Sequence, residues 1–545
     1  MELVLCMLPL VYAKLLANRL DTMILIVQKI LKFILFILGC LSTPFIKLQW
    51  FKKRKLLPPI KNHVLLLSAT EVARRIRKRE VSSEEVVRAY VERCKDVNPI
   101  LNAIVETRYE AAIEEARKVD EFFTWTTKTE EDIARETPLL GVPMTVKESI
   151  AVQGMSHSVG VKKKNPEKAV EDALIVTKVR EAGAIILLVS NTPELCLFWE
   201  THNKVTGTTW NPYDTNRTTG GSSGGEAALL SSAASAISLS SDIAGSARLP
   251  AMFCGIFGHK PTACLVPYVG HKPGSTDQNW PNFFSMGPMV RYAEDLPLMM
   301  RIISQPEQAR HGFEEKVSLK NMKFFYLEDC CGITNSIDTE MKEAIQRLRT
   351  HIETVYDLKV QKARLNDMKF AFDVATHLLL EMNVDGVAED IKASASAKIF
   401  LELLKYFFFA SSHTLPALSY GLIKWVFNKF PQSLRNKLTD KKVSLKKQFE
   451  DLLGDNGVLI YPSFVSAAHY KYESYPKVAN FTYMMIYNVL GLPVTQCPMG
   501  LNREGLPIGL QIVANPGNDH LTIAVAQEIE KAFGGWQQPP SELAV

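Results

Sequence analysis

The chain is predicted to fold as an α/β domain behind an N-terminal membrane helix. Three observations predict this. Apolar strand-like runs alternate with helix-like runs along most of the sequence. An apolar segment at 23–46 is long enough to cross a bilayer as a helix. The composition, 47% hydrophobic and 22% charged over 545 residues, is that of a globular protein with a substantial core. No repeat of solenoid period is visible. The sequence divides into a lead (1–22), a membrane-anchor helix (23–46), a basic, Pro-containing linker (47–62) and one large domain (63–545).

The anchor reads MILIVQKILKFILFILGCLSTPFI. Lys29 and Lys32 interrupt its first third, although lysines can snorkel to an interface. The uncharged run Phe33 to Ile46 is 14 residues, too short to span alone. A single-pass span is the first reading, an interfacial amphipathic helix the second and a cleaved signal peptide the third. Lys47, Lys52, Lys53, Arg54 and Lys55 after the segment outweigh Lys14 and Arg19 before it, so the positive-inside rule puts the domain on the cytosolic side, with the endoplasmic reticulum membrane as the expected location. Pro58-Pro59 marks the linker.

Two helices open the domain, each behind an expected capping box, Ser68-x-x-Glu71 and Ser82-x-x-Glu85. After the second, Val86, Val87, Tyr90, Val91 and Cys94 share one helical face. A helix at 171–182 precedes the strand AIILLVS (184–190), and a small-residue helix at 224–235 precedes AISLS (236–240). Later strands are expected at 322–327, 457–462 and 506–514, and helices at 339–354 and 519–533. Residues 369–428 break the pattern as an apolar insertion with Phe407, Phe408, Phe409, Trp425 and Phe427. They read either as helices packed on the core or as a second membrane-contacting surface or acyl-channel wall.

The net charge of +5 is small for this length, and the basic residues form no stripe, so no nucleic-acid partner is expected. No zinc-finger spacing and no phosphate-loop motif occurs, and no metal or cofactor is implied. Nine cysteines without a Cys-x-x-Cys, with Cys330 and Cys331 adjacent, fit free thiols in a reducing compartment. The sequons at Asn216 and Asn480 are read as chance matches, since a glycan at Asn216 would obstruct the site described next.

Chemistry concentrates in residues 220–249, GGSSGGEAALLSSAASAISLSSDIAGSARL, and in Lys147, which closes the apolar run GVPMTV. A lysine pushed toward the core loses its proton more easily, because burial disfavours the charged form. A neutral amine can then serve as base, one serine can carry the proton and a second can attack. Ser222 stands between glycines at the start of a helix. Ser246 follows the turn Asp242-Ile243-Ala244-Gly245, and the backbone N–H groups of Ile243, Ala244, Gly245 and Ser246 are the candidate oxyanion hole. Asp242 and Arg248 are expected to brace this loop rather than to do chemistry.

These motifs, with HKPT at 259–262 and GLPVTQCPMG at 491–500, closely resemble the amidase signature family over about 63–545. The resemblance implies a central mixed, twisted sheet flanked by helices. It implies hydrolysis of carbon–nitrogen amide bonds, with Lys147 as base, Ser222 as bridging serine in a cis peptide and Ser246 as nucleophile. The membrane-proximal helix, the Gly-Gly-Glu at 224–226 and LTIAVAQEIEKAFGGW at 521–536 look like fatty-acid amide hydrolases, especially the second type. That implies a lipid-like amide substrate, a membrane partner and a possible homodimer. The chain departs from the family in Ala244, where Gly is usual. A positive φ there would strain the oxyanion hole, whereas a negative φ would make alanine harmless. Glu148 replaces the usual Asp after the lysine.

Two other classes compete. Gly-x-Ser-x-Gly at 220–224 and 221–225 matches the nucleophile elbow of a serine esterase, with His157, His202 or His259 as base, but the elbow needs a strand just before it. A non-catalytic lipid-binding member with a degenerate oxyanion hole would rest on Ala244 and the apolar insertion.

Overall fold

The structure, a computed structural model, describes residues 2–50, 53–305, 312–314, 317–330, 332–384, 395–427 and 431–542. Thirteen strands follow in chain order: β1 (Ile104–Thr107), β2 (Pro143–Lys147), β3 (Ile185–Ser190), β4 (His202–Asn203), β5 (Gly207–Thr208), β6 (Ile237–Asp242), β7 (Phe257–Lys260), β8 (Ser285–Val290), β9 (Lys323–Tyr326), β10 (Val360–Lys362), β11 (Gly457–Pro462), β12 (Val494–Leu501) and β13 (Pro507–Val513). Eleven form one sheet in the order β1-β3-β2-β6-β8-β7-β12-β13-β11-β9-β10, and β4 and β5 form a small hairpin. The sheet is mixed: β3, β2 and β6 run parallel, as do β11, β9 and β10, and antiparallel pairings join the two blocks. Helices cover it, and β2, β3, β6 and β8 are buried along their whole length, as strands covered on both faces must be.

Several expectations change in detail. The strand expected at 236–240 continues to Asp242, and the helix before it stops at Ser231, where Ser232 caps it and Ala233 turns to φ 62°. Ser68 and Ser82 do cap their helices, accepting from Glu71 N at 3.0 Å and Glu85 N at 3.1 Å. The reciprocal half of each box is missing, because the Glu71 carboxylate turns instead to Arg74 and Arg75, each at 2.7 Å. A complete box forms at Thr129 and Asp132.

One helix, Glu2–Trp50, runs through the lead, the anchor and the first linker residues. Its Leu20–Trp50 part is long and apolar enough to cross a membrane by length and composition. Among the described residues the apolar insertion supplies three α-helices, Ala371–Glu381, Ala395–Phe407 and Leu415–Phe427; its residues 385–394 and 428 lie outside the described residues, as does Cys331. The first of the three packs into the core through Ala371, Val374 and Ala375, while Phe407, Phe408 and Phe409 stand exposed. Packed helices and an apolar surface therefore coexist in this segment.

Candidate active site

Because β2 and β6 are adjacent and parallel, with Val146 opposite Leu239, their C-terminal ends emerge side by side. β2 ends on Lys147, and β6 ends on Ser240, Ser241 and Asp242. The loop before the Gly224–Ser231 helix brings Ser222 to the same place. Lys147 is fully buried, and its Nζ lies 2.6 Å from Ser222 Oγ and 2.9 Å from Ser241 Oγ. Burial pushes the Lys147 amine below the ordinary lysine range, against the raising effect of Cys196 and Asp242 nearby. The Gly221–Ser222 peptide is cis. Gly221 is obligatory on packing grounds, since a Cβ there would sit 2.6 Å from the Phe198 carbonyl oxygen.

Ser246 lies in the turn between β6 and the Arg248–Phe253 helix and is 5% exposed. Its carbonyl accepts from Ser223 N at 3.0 Å, which sews the two serine loops together. The turn is built around Asp242, whose carboxylate accepts from Gly245 N at 2.8 Å and Ala247 N at 3.2 Å and pairs with Arg248 Nε at 3.0 Å. Burial by itself would raise the Asp242 carboxyl, but the Arg248 guanidinium, the Asn488 amide and the Gly245 N–H hold it well below the usual carboxylate range. Arg248, fully buried, reaches on to Gln511 Oε1 at 3.0 Å and Asn488 Oδ1 at 2.7 Å. Asp242 and Arg248 thus brace the turn, as the sequence predicts.

The candidate oxyanion donors divide. Gly245 N–H is engaged by Asp242, whereas the N–H groups of Ile243, Ala244 and Ser246 have no acceptor among the described residues. Ala244 is not at positive φ; Gly245 is, at +95°. A Cβ on Gly245 would meet Met484 Sδ at 2.6 Å, so glycine is required at 245 and not at 244. The Ala244 carbonyl is tied back by Trp199 Nε1 at 2.9 Å, and Trp199 stacks on Phe481 at 3.9 Å.

Two groups in this cluster escaped the sequence reading. Ser241 touches Lys147, and His271 Nε2 lies 2.9 Å from Ser241 Oγ. His271 Nδ1 lies 3.0 Å from the Pro273 carbonyl oxygen, which can only accept, so Nδ1 carries the hydrogen. Burial keeps the imidazole neutral by pushing its pKa well down. Nε2 must therefore accept the Ser241 hydroxyl hydrogen. Ser241 was readable only as one of several serines at a strand end, and His271 arrives from a loop far downstream with no motif of its own. Glu148 is a bracing residue: its buried carboxylate accepts from Ser158 N at 2.6 Å and Val159 N at 2.8 Å, and burial lifts its pKa to about 7.

The esterase arrangement lacks its parts. Residues 211–219 form turns with two isolated bridges, at Arg217 and Thr218, and no strand, so no elbow precedes Ser222. His157 bonds the Ser149 carbonyl, His202 bonds Thr208, and His259 sits between Thr495 and Asp519. Each has a structural partner away from the serines. No group of three or more His, Cys, Asp or Glu able to hold a metal ion occurs among the described residues.

The chain, whose mixed sheet is flanked by helices, matches the Amidase family model over residues 85–523. The chain belongs to the amidase signature family and is an amide hydrolase acting on carbon–nitrogen bonds. Within that family it is similar to fatty-acid amide hydrolase 2-A of Danio rerio, 40% identical over 491 residues covering 89% of this chain and 92% of the relative. Fatty-acid amide hydrolase 2 of Homo sapiens is 39% identical over 490 residues, covering 88% and 92%. Among solved structures, a fatty acid amide hydrolase superposes with a TM-score of 0.69 at 20% identity, over 88% of this chain and 87% of the other. A 6-aminohexanoate cyclic dimer hydrolase in complex with its substrate gives 0.69 at 21% identity, over 87% and 99%.

Proposed function

We propose that the protein is a membrane-associated hydrolase of long-chain fatty-acid amides that works through Ser246, Ser222 and Lys147. The observation that carries this reading is the fully buried Lys147 amine 2.6 Å from Ser222 Oγ. The hydrogen-bond directions support a base role. The Ser241 hydroxyl hydrogen is given to His271, so the Ser241 oxygen accepts an N–H from Lys147. The lone pair of the neutral amine is then left for the hydroxyl hydrogen of Ser222. His271 acts as a positioning residue through Ser241.

In the proposed reaction, Ser222 passes its proton to Lys147 and takes the proton of Ser246. The Ser246 oxygen attacks the amide carbonyl, and the N–H groups of Ile243, Ala244 and Ser246 receive the oxyanion. Lys147 returns its proton through Ser222 to the amide nitrogen, the carbon–nitrogen bond breaks and the amine leaves. Water, deprotonated along the same route, then cleaves the acyl ester on Ser246 and frees the fatty acid. No cofactor takes part. The long-chain substrate is carried over from the names of the relatives and is supported by the exposed apolar helices, since such amides reside in membranes. The basic residues after the apolar helix favour the cytosolic face of the endoplasmic reticulum.

The test is fluorophosphonate labelling of the detergent-solubilised protein, with mass spectrometry of the modified peptide and hydrolysis of a long-chain acyl amide measured alongside. Label on Ser246 with amine release is expected. Label on Ser222 or Ser223 would replace this scheme by the esterase one, and folded protein without label or turnover would leave a lipid-binding role.

A further inference from the structure

The N-terminal helix is long enough to cross a bilayer, yet it does not stand away from the catalytic domain. Its Asp21 pairs with Lys437 at 2.7 Å. Gln28, 2% exposed, donates to the Lys369 carbonyl at 3.0 Å and to the Asp373 carboxylate. Lys32 Nζ donates to the Thr334 carbonyl at 2.6 Å. Gly39 passes close to Pro476, and Trp50 packs against Trp210 with ring centroids 5.4 Å apart. At 100° per residue these five positions fall within about 40° of one another and so belong to one helical stripe. From residue 21 to residue 50 the stripe is about 43 Å long at 1.5 Å per residue.

The rest of the circumference is apolar and open. Ile26, Ile30, Phe33, Ile37, Leu41 and Phe45 are between 40% and 75% exposed. At 100° per residue, Lys29 and Lys47 fall together on one edge of this face, about 75° from the middle of the docked stripe. A helix that spanned a bilayer while keeping its stripe docked would carry Asp373 and the Thr334 backbone, the partners of Gln28 and Lys32, into hydrocarbon, which charged and polar groups strongly avoid. A helix lying flat leaves all of them on the water side. It also puts the apolar face into the leaflet and its edge lysines at headgroup level, the arrangement of interfacial helices.

From this we infer that residues 21–50 form an in-plane, monotopic anchor, docked along the catalytic domain, whose open face inserts into one leaflet of a lipid bilayer. This rests on the membrane association proposed above and fixes its geometry. The face has no polar group with which to recognise a protein partner, and the edge lysines suit anionic headgroups. The Ala371–Glu381 helix that receives Gln28 also packs against the Leu415–Phe427 helix, which carries exposed Ile423, so a second apolar surface adjoins the anchor.

The test uses the full chain in microsomes with a glycosylation tag at the N-terminus or at the C-terminus. An in-plane anchor leaves both tags on one side, equally modified; opposite modification would overturn the proposal. In parallel, Phe33→Glu/Ile37→Glu is sedimented with vesicles of phosphatidylcholine and phosphatidylserine, and bound protein should fall about tenfold. Unchanged vesicle binding with loss of self-association would instead assign the face to a second copy of the chain. Hydrolysis of a short, soluble amide in detergent, measured on the same double variant, should persist. Its loss in the unsubstituted protein would count against the amidase reading and leave the anchor result standing.

Discussion

Lys147 and Phe409 stand at opposite extremes of the molecule. Lys147 is 0% exposed and held between two serine hydroxyls, whereas Phe409 is 96% exposed. The catalytic cluster is made of buried polar groups at strand ends, with Lys147 fixed by Ser222 and Ser241 and the Ser246 turn braced by Asp242. The outer layer, the N-terminal helix and the insertion helices, is made of apolar groups in the open. Burial tunes the one, because removing water shifts proton affinities and fixes hydrogen-bond directions. Exposure gives the other its only use, contact with an apolar phase. Changes in the cluster should therefore alter chemistry sharply, and changes in the outer layer should alter location while barely touching the fold.

The largest effect is expected from Ser246→Ala, which should lower kcat by about 10³–10⁶-fold on a long-chain acyl amide, with stability unchanged by thermal melting. A residual rate near the parent value would remove Ser246 from the nucleophile role. Next comes the contrast between neighbours in the turn. Gly245→Ala meets Met484 and takes a left-handed φ, and should destabilise by about 2–4 kcal/mol in a denaturant titration. Ala244→Gly should cost less than about 1 kcal/mol and leave turnover intact, since no positive φ is demanded there. Equal effects at the two positions would break the account of the oxyanion turn.

A smaller effect separates positioning from chemistry. His271→Ala should lower kcat by about tenfold. It should also move the acid limb of the pH–rate profile upward, because water reaching Lys147 relieves the burial that lowers its pKa. His271→Gln, which keeps an acceptor for Ser241, should recover part of the rate. A drop in kcat with the limb unmoved would reduce His271 to a packing residue. Smallest of all, Phe409→Ser should change stability by within about 0.5 kcal/mol while weakening vesicle binding.

The same contrast decides what was legible in the sequence. The glycine-framed Ser222, Ser246 and the strand-ending Lys147 announce themselves, because close backbone approach and a buried amine each demand particular residue types. The meeting of Lys147 with Ser222 could be anticipated from those types. The second contact of Lys147, Ser241 and through it His271, could not, because one serine among many and a lone histidine from a distant loop meet only after the sheet has formed. Strands β7, β8 and β12 were hidden for a related reason: short Gly- and Pro-containing runs take their pairing from neighbours rather than from propensity. The docking of the N-terminal helix was equally hidden. Lys29 and Lys32 look alike as interruptions of an apolar run, but Lys32 faces the domain and Lys29 its edge.

The most direct test of the central claim, that a buried neutral lysine drives serine attack, is the pH–rate profile of the parent protein and of Lys147→Ala on one long-chain acyl amide. Burial lowers the pKa of Lys147, and the base works only without its proton. The parent rate should therefore fall as pH drops through that pKa, at a pH below the value of about 10.4 that an ordinary lysine would set. Lys147→Ala should lose turnover at neutral pH and lose that limb with it. An undiminished rate in Lys147→Ala, or an acid limb unchanged by the substitution, would contradict the account.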